Sequence, residues 1–238
     1  GVFPGASWRN DEVLRAFKIA PDRKVLIAAS THPGEESFVF DAFARIKQRE
    51  PQALLIVAPR HPERSEEVKA LSSARGLETV RRSDLPVDGQ PRAAVVVLDT
   101  VGELATLFQI ATVVFLGGSL APAGGHNVLE PAFWGKPVVF GPHMHNFSEI
   151  TELFLANRAA RQISGADELE AALWDLLSDP AQSAALGVAA SVLVTAQRGA
   201  TARSLAEIAA VFPRDEKNSS TGIGTNSSEA ANTGAPSF

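Results

Sequence analysis

Four short apolar runs constrain this chain most: Lys24–Ser30 (KVLIAAS), Ala53–Pro59 (ALLIVAP), Ala93–Leu98 (AAVVVL) and Thr112–Leu116 (TVVFL). None of them alternates apolar with polar residues. A strand that shows water one face must alternate, so continuous runs of this length belong to a sheet covered on both sides. Weaker strands are predicted at Glu78–Arg82, Pro137–Phe140 and Ala159–Ile163. Between the runs lie segments with helical spacing. Gly34–Glu50 carries apolar Phe38, Phe43 and Ile46, followed by Glu63–Ala74, Val101–Ile110 and Asp167–Leu177, while Ala181–Val211 reads as one or two further helices. Strands alternating with helices, joined by right-handed crossovers, give an α/β fold with a Rossmann-like, doubly wound parallel sheet.

Composition narrows the function classes. With 238 residues, 45% of them apolar, the chain can bury a sizeable core. A net charge of −5 argues against nucleic acid as a partner, although a local basic pocket for a phosphate is compatible with it. The absence of cysteine excludes disulfides, thiolate catalysis and cysteine-based zinc sites. The opening residues show no signal-peptide pattern, and no run reaches the roughly 18 apolar residues that cross a bilayer. Starting at Gly1, the chain reads as a fragment or a processed protein. The expected organisation is an interdomain segment and helix over 1–23, a Rossmann-like ligand-binding domain with C-terminal helices over 24–213 and a disordered tail over 214–238. Asn146, Asn218 and Asn226 open glycosylation-acceptor patterns, read here as chance matches.

The stretch Phe115–Pro142 is the most informative. Gly117, Gly118 and Ser119 follow directly on a strand, at the edge where open α/β sheets bind ligands. Gly124 and Gly125 then lead into a helix expected to start near His126 or Asn127. Glycines admit an anion close to backbone amides, and a helix N-terminus adds positive potential, which makes a phosphate the natural guest. The alternative is a tight strand-to-helix turn without a ligand. Neither the G-x-G-x-x-G nor the Walker pattern is present. Glu130, one turn into the expected helix, is placed either to bind the vicinal hydroxyls of a ribose or simply to complement the helix dipole.

Gly-Gly-Ser, Gly-Gly-His-Asn, Leu-Glu-Pro and Gly-Lys-Pro-Val in this stretch resemble the donor-site signature of transferases of 3-deoxy-D-manno-octulosonic acid (Kdo). Three more segments match the same family: Ala29–Glu36 (ASTHPGEE), Pro59–Arg64 (PRHPER) and Gly141–Phe147 (GPHMHNF). The likeness is specific over Ala28 to Ile150 and fades toward Val211. It implies the C-terminal, donor-binding half of a GT-B glycosyltransferase that moves Kdo, with inversion, from CMP-Kdo to a lipid A precursor. Carried onto these residues, Gly117, Gly118 and Ser119 lie against the donor phosphate, with Gly124 and Gly125 completing the loop. Asn127 caps the facing helix and Glu130 holds the ribose. Arg60 meets the phosphate or the sugar carboxylate, while Ser30, Thr31 and His32 line the cleft.

No cofactor or metal is required by such an arrangement; His143 and His145 form an H-x-H pair without an evident third ligand. The resemblance further implies work at a membrane surface, on the cytoplasmic face of a Gram-negative inner membrane, with the acceptor site and the general base in an N-terminal domain to which nothing here corresponds. Glu35 and Glu36 open a predicted helix and are expected to complement its dipole rather than to act as that base. Two other readings use the same features: a GT-B transferase or epimerase taking a uridine nucleotide, and a non-catalytic nucleotide-binding half-protein.

Overall fold

A computed structural model describes residues 17, 19, 20, 22–85 and 93–196, together with the backbone of one helix as far as 211. The segment expected over 1–23 lies mostly outside these residues, and the tail expected from 214 onward lies wholly outside them. The sheet belongs to the larger of two units, 1–198; residues 199–238 form the other.

Seven strands form one sheet: β1 (Val25–Thr31), β2 (Leu54–Pro59), β3 (Thr79–Arg81), β4 (Val95–Val97), β5 (Val113–Leu116), β6 (Val138–Phe140) and β7 (Arg161–Gln162). Every neighbouring pair is parallel, in the order β3-β4-β2-β1-β5-β6-β7. The helices are α1 (Glu35–Arg49), α2 (Ser65–Ser73), α3 (Leu104–Leu107), α4 (Leu129–Phe133), α5 (Ser148–Ala156), α6 (Leu169–Ser178) and α7 (Pro180–Val211). No single helix among the described residues is long and apolar enough to cross a membrane.

The continuous apolar runs are explained by two cores. Val25, Ile27, Ala29, Ile56, Val114 and Phe140 point to one face, where Leu107, Phe108, Phe154 and Ala190 cover them. Leu26, Ala28, Leu55, Val57, Phe115 and Val139 point to the other, beneath Phe40, Phe43 and Ile46 of α1, Val68 of α2 and Leu173, Leu176 and Leu177 of α6. Each strand therefore alternates between two apolar environments. Full burial of one such side chain contributes about 1.5–3 kcal/mol.

The structure departs from the sequence reading in places. Phe38 is 46% exposed, because the buried stripe of α1 is Val39, Phe40, Phe43 and Ile46; five residues before Phe43, Phe38 falls outside it. The helix expected over Val101–Ile110 shortens to α3 plus a 3-10 turn over Phe108–Ile110, and Val101 stands 89% exposed before it. The helix expected from His126 or Asn127 begins at Leu129 and has five residues, too few for a strong terminal dipole. Ala181–Val211 is a single helix.

Strand order reverses between β1 and β5. The loops beyond their carboxyl ends occupy the usual ligand position in an open α/β sheet, the crevice at the switch point.

Candidate functional site

The crevice is built from the loops that follow β1 and β5. Ser30 leaves β1 at φ 55°, where the β1–β2 register shifts between Ala29 and Thr31. A non-glycine residue in the left-handed region costs roughly 1–3 kcal/mol and marks a place where the fold imposes a conformation. Opposite it, β5 ends against β1 so closely that a Cβ on Gly117 would stand 2.5 Å from the Ser30 carbonyl oxygen. Gly117→Ala is therefore expected to destabilise the protein by about 1–3 kcal/mol, as overpacking does; thermal unfolding measures it.

The next turn holds an anion, and that anion is the protein's own. Glu35, 1% exposed, places its carboxylate under the turn and accepts hydrogen bonds from the backbone N–H groups of Gly118 (2.7 Å), Ser119 (3.0 Å), Leu120 (2.8 Å) and Ala121 (3.0 Å). The N–H of His32 adds a fifth at 2.8 Å. The amides expected to cradle a phosphate at Gly118 and Ser119 are thus already engaged. The Ser119 hydroxyl is also fully buried, donating to the Leu116 carbonyl and accepting from the Gly141 N–H at 2.8 Å. Gly124 and Gly125 owe their small size to packing: a Cβ there would meet Asn146 and Met144. Thr31 lies inside the wall as well, its hydroxyl donating to Glu36 at 3.0 Å while Arg64 pairs with the same carboxylate at 2.8 Å. Glu35 and Glu36 do open α1 as expected, but both are buried and bind specific partners.

What faces the crevice is cationic and aromatic. The His32 and His126 rings meet edge to edge, 25° from parallel, with centroids 5.4 Å apart and Nε2 atoms 3.2 Å from each other. Gly118, at φ +65°, passes beneath both rings; a Cβ there would come within 3.2 Å of His32 and 3.3 Å of His126. Arg60 leaves the end of β2, its N–H bonded to the Thr31 carbonyl at 2.9 Å. Its exposed guanidinium has no ion-pair partner among the described residues, and it lies close enough to His126 to act on that ring's charge. Burial, then His32, then Arg60 push the His126 imidazole below its ordinary pKa, so the ring is neutral at pH 7.

Asn127 accepts the Leu129 N–H at 3.0 Å, but the expected cap is not formed: the N-cap position of α4 is Val128, and no side chain caps the helix. Glu130 is exposed by surface area, yet its carboxyl is raised above the usual range, partial desolvation outweighing the Asn127 hydrogen bond. No described contact joins Glu130 to Arg60 or to the imidazoles. No group of three or more His, Cys, Asp or Glu side chains is assembled as a metal site among the described residues, His143 and His145 included. The sequence reading brings Ser30, His32, Gly118 and Arg60 to one place and misses His126, whose signal was its position in Gly-Gly-His-Asn on the same rim.

Comparison with known proteins supplies the family. The chain is 36% identical over 204 residues to the 3-deoxy-D-manno-octulosonic acid transferase of Haemophilus influenzae, covering 82% of this chain and 47% of the relative. The Bordetella pertussis transferase is 35% identical over 197 residues, 81% of this chain and 46% of that protein. The C-terminal CMP-Kdo binding domain of WaaA from Acinetobacter baumannii superposes with a TM-score of 0.68 at 32% identity, over 76% of this chain and 93% of that domain. The chain belongs to the Kdo transferase family. It spans about half the length of the full-length Kdo transferases it matches. No family model matches it. WaaG, a glycosyltransferase of lipopolysaccharide biosynthesis, shares the fold alone, with a TM-score of 0.56 at 15% identity.

Proposed function

We propose that this chain is the donor-binding half of an inverting Kdo transferase that takes CMP-Kdo as its donor. One observation carries the reading: the chain is 32% identical to a CMP-Kdo binding domain over nearly all of that domain. The crevice suits such a donor. The guanidinium of Arg60, without an ion-pair partner among the described residues, supplies positive potential, and the two imidazoles add hydrogen-bonding nitrogens for a phosphodiester, with Ser30 at the edge. Asn127 and Glu130 stand on the far side of the same loop, where the carboxylate would accept from ribose hydroxyls. In this reading Gly118 and Ser119 form the floor of the site and leave the donor phosphate to the cations. Breaking the sugar–phosphate bond leaves negative charge on the nucleotide, and a fixed cation placed where charge grows lowers that barrier. The proposal requires no cofactor. It assigns the lipid A precursor, the general base and contact with the cytoplasmic face of a Gram-negative inner membrane to the half of the relatives that this chain does not match.

The test is nucleotide selectivity in the melt. CMP at a hundredfold excess over its Kd should stabilise the chain by about 2.7 kcal/mol, or roughly 5–10 °C in Tm, while UDP at the same concentration leaves Tm unchanged. An equal shift with UDP would sink the donor assignment. In the catalytically competent protein, Arg60→Ala should lower kcat by about 10- to 100-fold, the loss of a charge-assisted hydrogen bond in the transition state. Glu130→Ala should chiefly raise the donor KM, because ribose hydroxyls change little during reaction. Wild-type kinetics in either variant would remove that residue from the site.

A further inference from the structure

We propose that His32 and His126 form a proton-sharing imidazole pair that binds the donor's phosphate and takes up one proton as it does so. The inference deepens the reading above and rests on it for the identity of the anion. The pair joins residues 94 apart in sequence, with both Nε2 atoms aimed at each other across 3.2 Å. Two imidazoles can meet in this way only with a single hydrogen between them, one nitrogen donating and the other accepting. Which of the two nitrogens donates is set by the tautomers of the two rings.

The charges around the pair explain why the extra proton waits for a ligand. The groups acting on His126 are His32, Arg60 and Glu35. Arg60 opposes a second positive charge, and partial burial adds to that opposition. Glu35 would favour it, but its two oxygens already accept five backbone N–H groups and face away into the turn. With no ligand bound, the neutral His126 ring therefore faces His32 beside one guanidinium. The phosphate, a monoanion in the donor's phosphodiester and a dianion in free CMP, supplies the counter-charge that Glu35 does not. The pair then carries one positive charge with a single hydrogen still between the facing nitrogens, and two cations meet the nucleotide instead of one. Proton uptake and anion binding become linked, each favouring the other to the same extent.

The test uses the full chain with isotope-labelled histidine. Ring-nitrogen NMR between pH 5.5 and 8.5 reports the tautomer and charge of each imidazole. Calorimetry in two buffers of different ionisation enthalpy, at pH 7.5 where the CMP phosphate (second pKa about 6) is mostly dianionic, reports protons exchanged. Without ligand, the His126 ring should be neutral at pH 7, with a single hydrogen between the facing nitrogens. CMP should raise the pair's protonation midpoint by about one pH unit, a tenfold change in proton affinity, with net uptake on binding. Cytidine, lacking phosphate, should produce neither change. His32→Gln and His126→Gln should each abolish the uptake and weaken CMP binding about tenfold. Rings that titrate independently in the free chain, or CMP binding without proton uptake, overturn the pair while leaving the donor reading intact. Uptake with inorganic phosphate but no binding of CMP overturns the donor reading and supports the pair. Histidine resonances unmoved by both CMP and phosphate overturn the pair.

Discussion

Glu35→Ala should be among the most damaging single substitutions in this chain. It is expected to cost about 4 kcal/mol, from several buried N–H donors left unpaired at about 1–3 kcal/mol each, partly offset by water entering the space. For a chain of this size that is roughly 8–16 °C in Tm. The cause is specific. Gly118 is buried and Ser119 fully so, and their amides have no acceptor other than the Glu35 carboxylate among the described hydrogen bonds. The variant should also acquire a property that the parent lacks. With the carboxylate gone, the turn presents a vacant ring of amides, so acetate or phosphate should raise the variant's Tm far more than the parent's. Thermal melts across an anion series measure this. A loss of stability with no anion rescue would show that Glu35 acts through packing rather than through the turn's amides. A loss below 1 kcal/mol would show that the turn closes without it.

Arg64→Ala should rank beside it, at about 3–5 kcal/mol, the usual consequence of stranding a buried charge. Glu36 is 0% exposed, and its partners are Arg64 at 2.8 Å and the Thr31 hydroxyl at 3.0 Å. The guanidinium also reaches Glu67, which does more than Glu36 to raise the pKa of Arg64. The two acids should nonetheless behave oppositely in stability. Glu67 is 56% exposed and can return to water when its partner is lost, so Glu67→Ala should barely move the melt. Glu36 cannot. The double variant Glu36→Leu with Arg64→Leu should recover much of what Arg64→Ala loses, because an apolar pair leaves no unmatched charge. Equal destabilisation by Arg64→Ala and Glu67→Ala would place the energy in the surface pair instead.

These two networks divide the polar residues of the rim by task. Arg60 and Arg64 follow the same strand four residues apart, yet Arg64 is consumed by carboxylates while Arg60 has no ion-pair partner among the described residues. Glu35 and Glu36 are adjacent, and each stabilises a different loop of the crevice.

The sequence by itself determined the strands, the parallel sheet and the rim on which the site lies. Those features rest on local patterns: a run such as AAVVVL can be buried on both faces only between two layers of helix, and a glycine pair after a strand marks a turn at the carboxyl edge. The family likeness was legible in the same loops. What each loop residue does was decided only by tertiary structure. The glycine turn has amides fit for an anion, as its composition says, but whether that anion is a ligand or a side chain depends on which strand lies beside β5. The answer is β1, which brings Glu35 against Gly118 across 83 residues of sequence. The same pairing sets His32 against His126 and encloses Thr31 and Ser119 in the wall. Periodicity reports which face of an element is apolar; it carries no information on which distant backbone donors a buried carboxylate will meet.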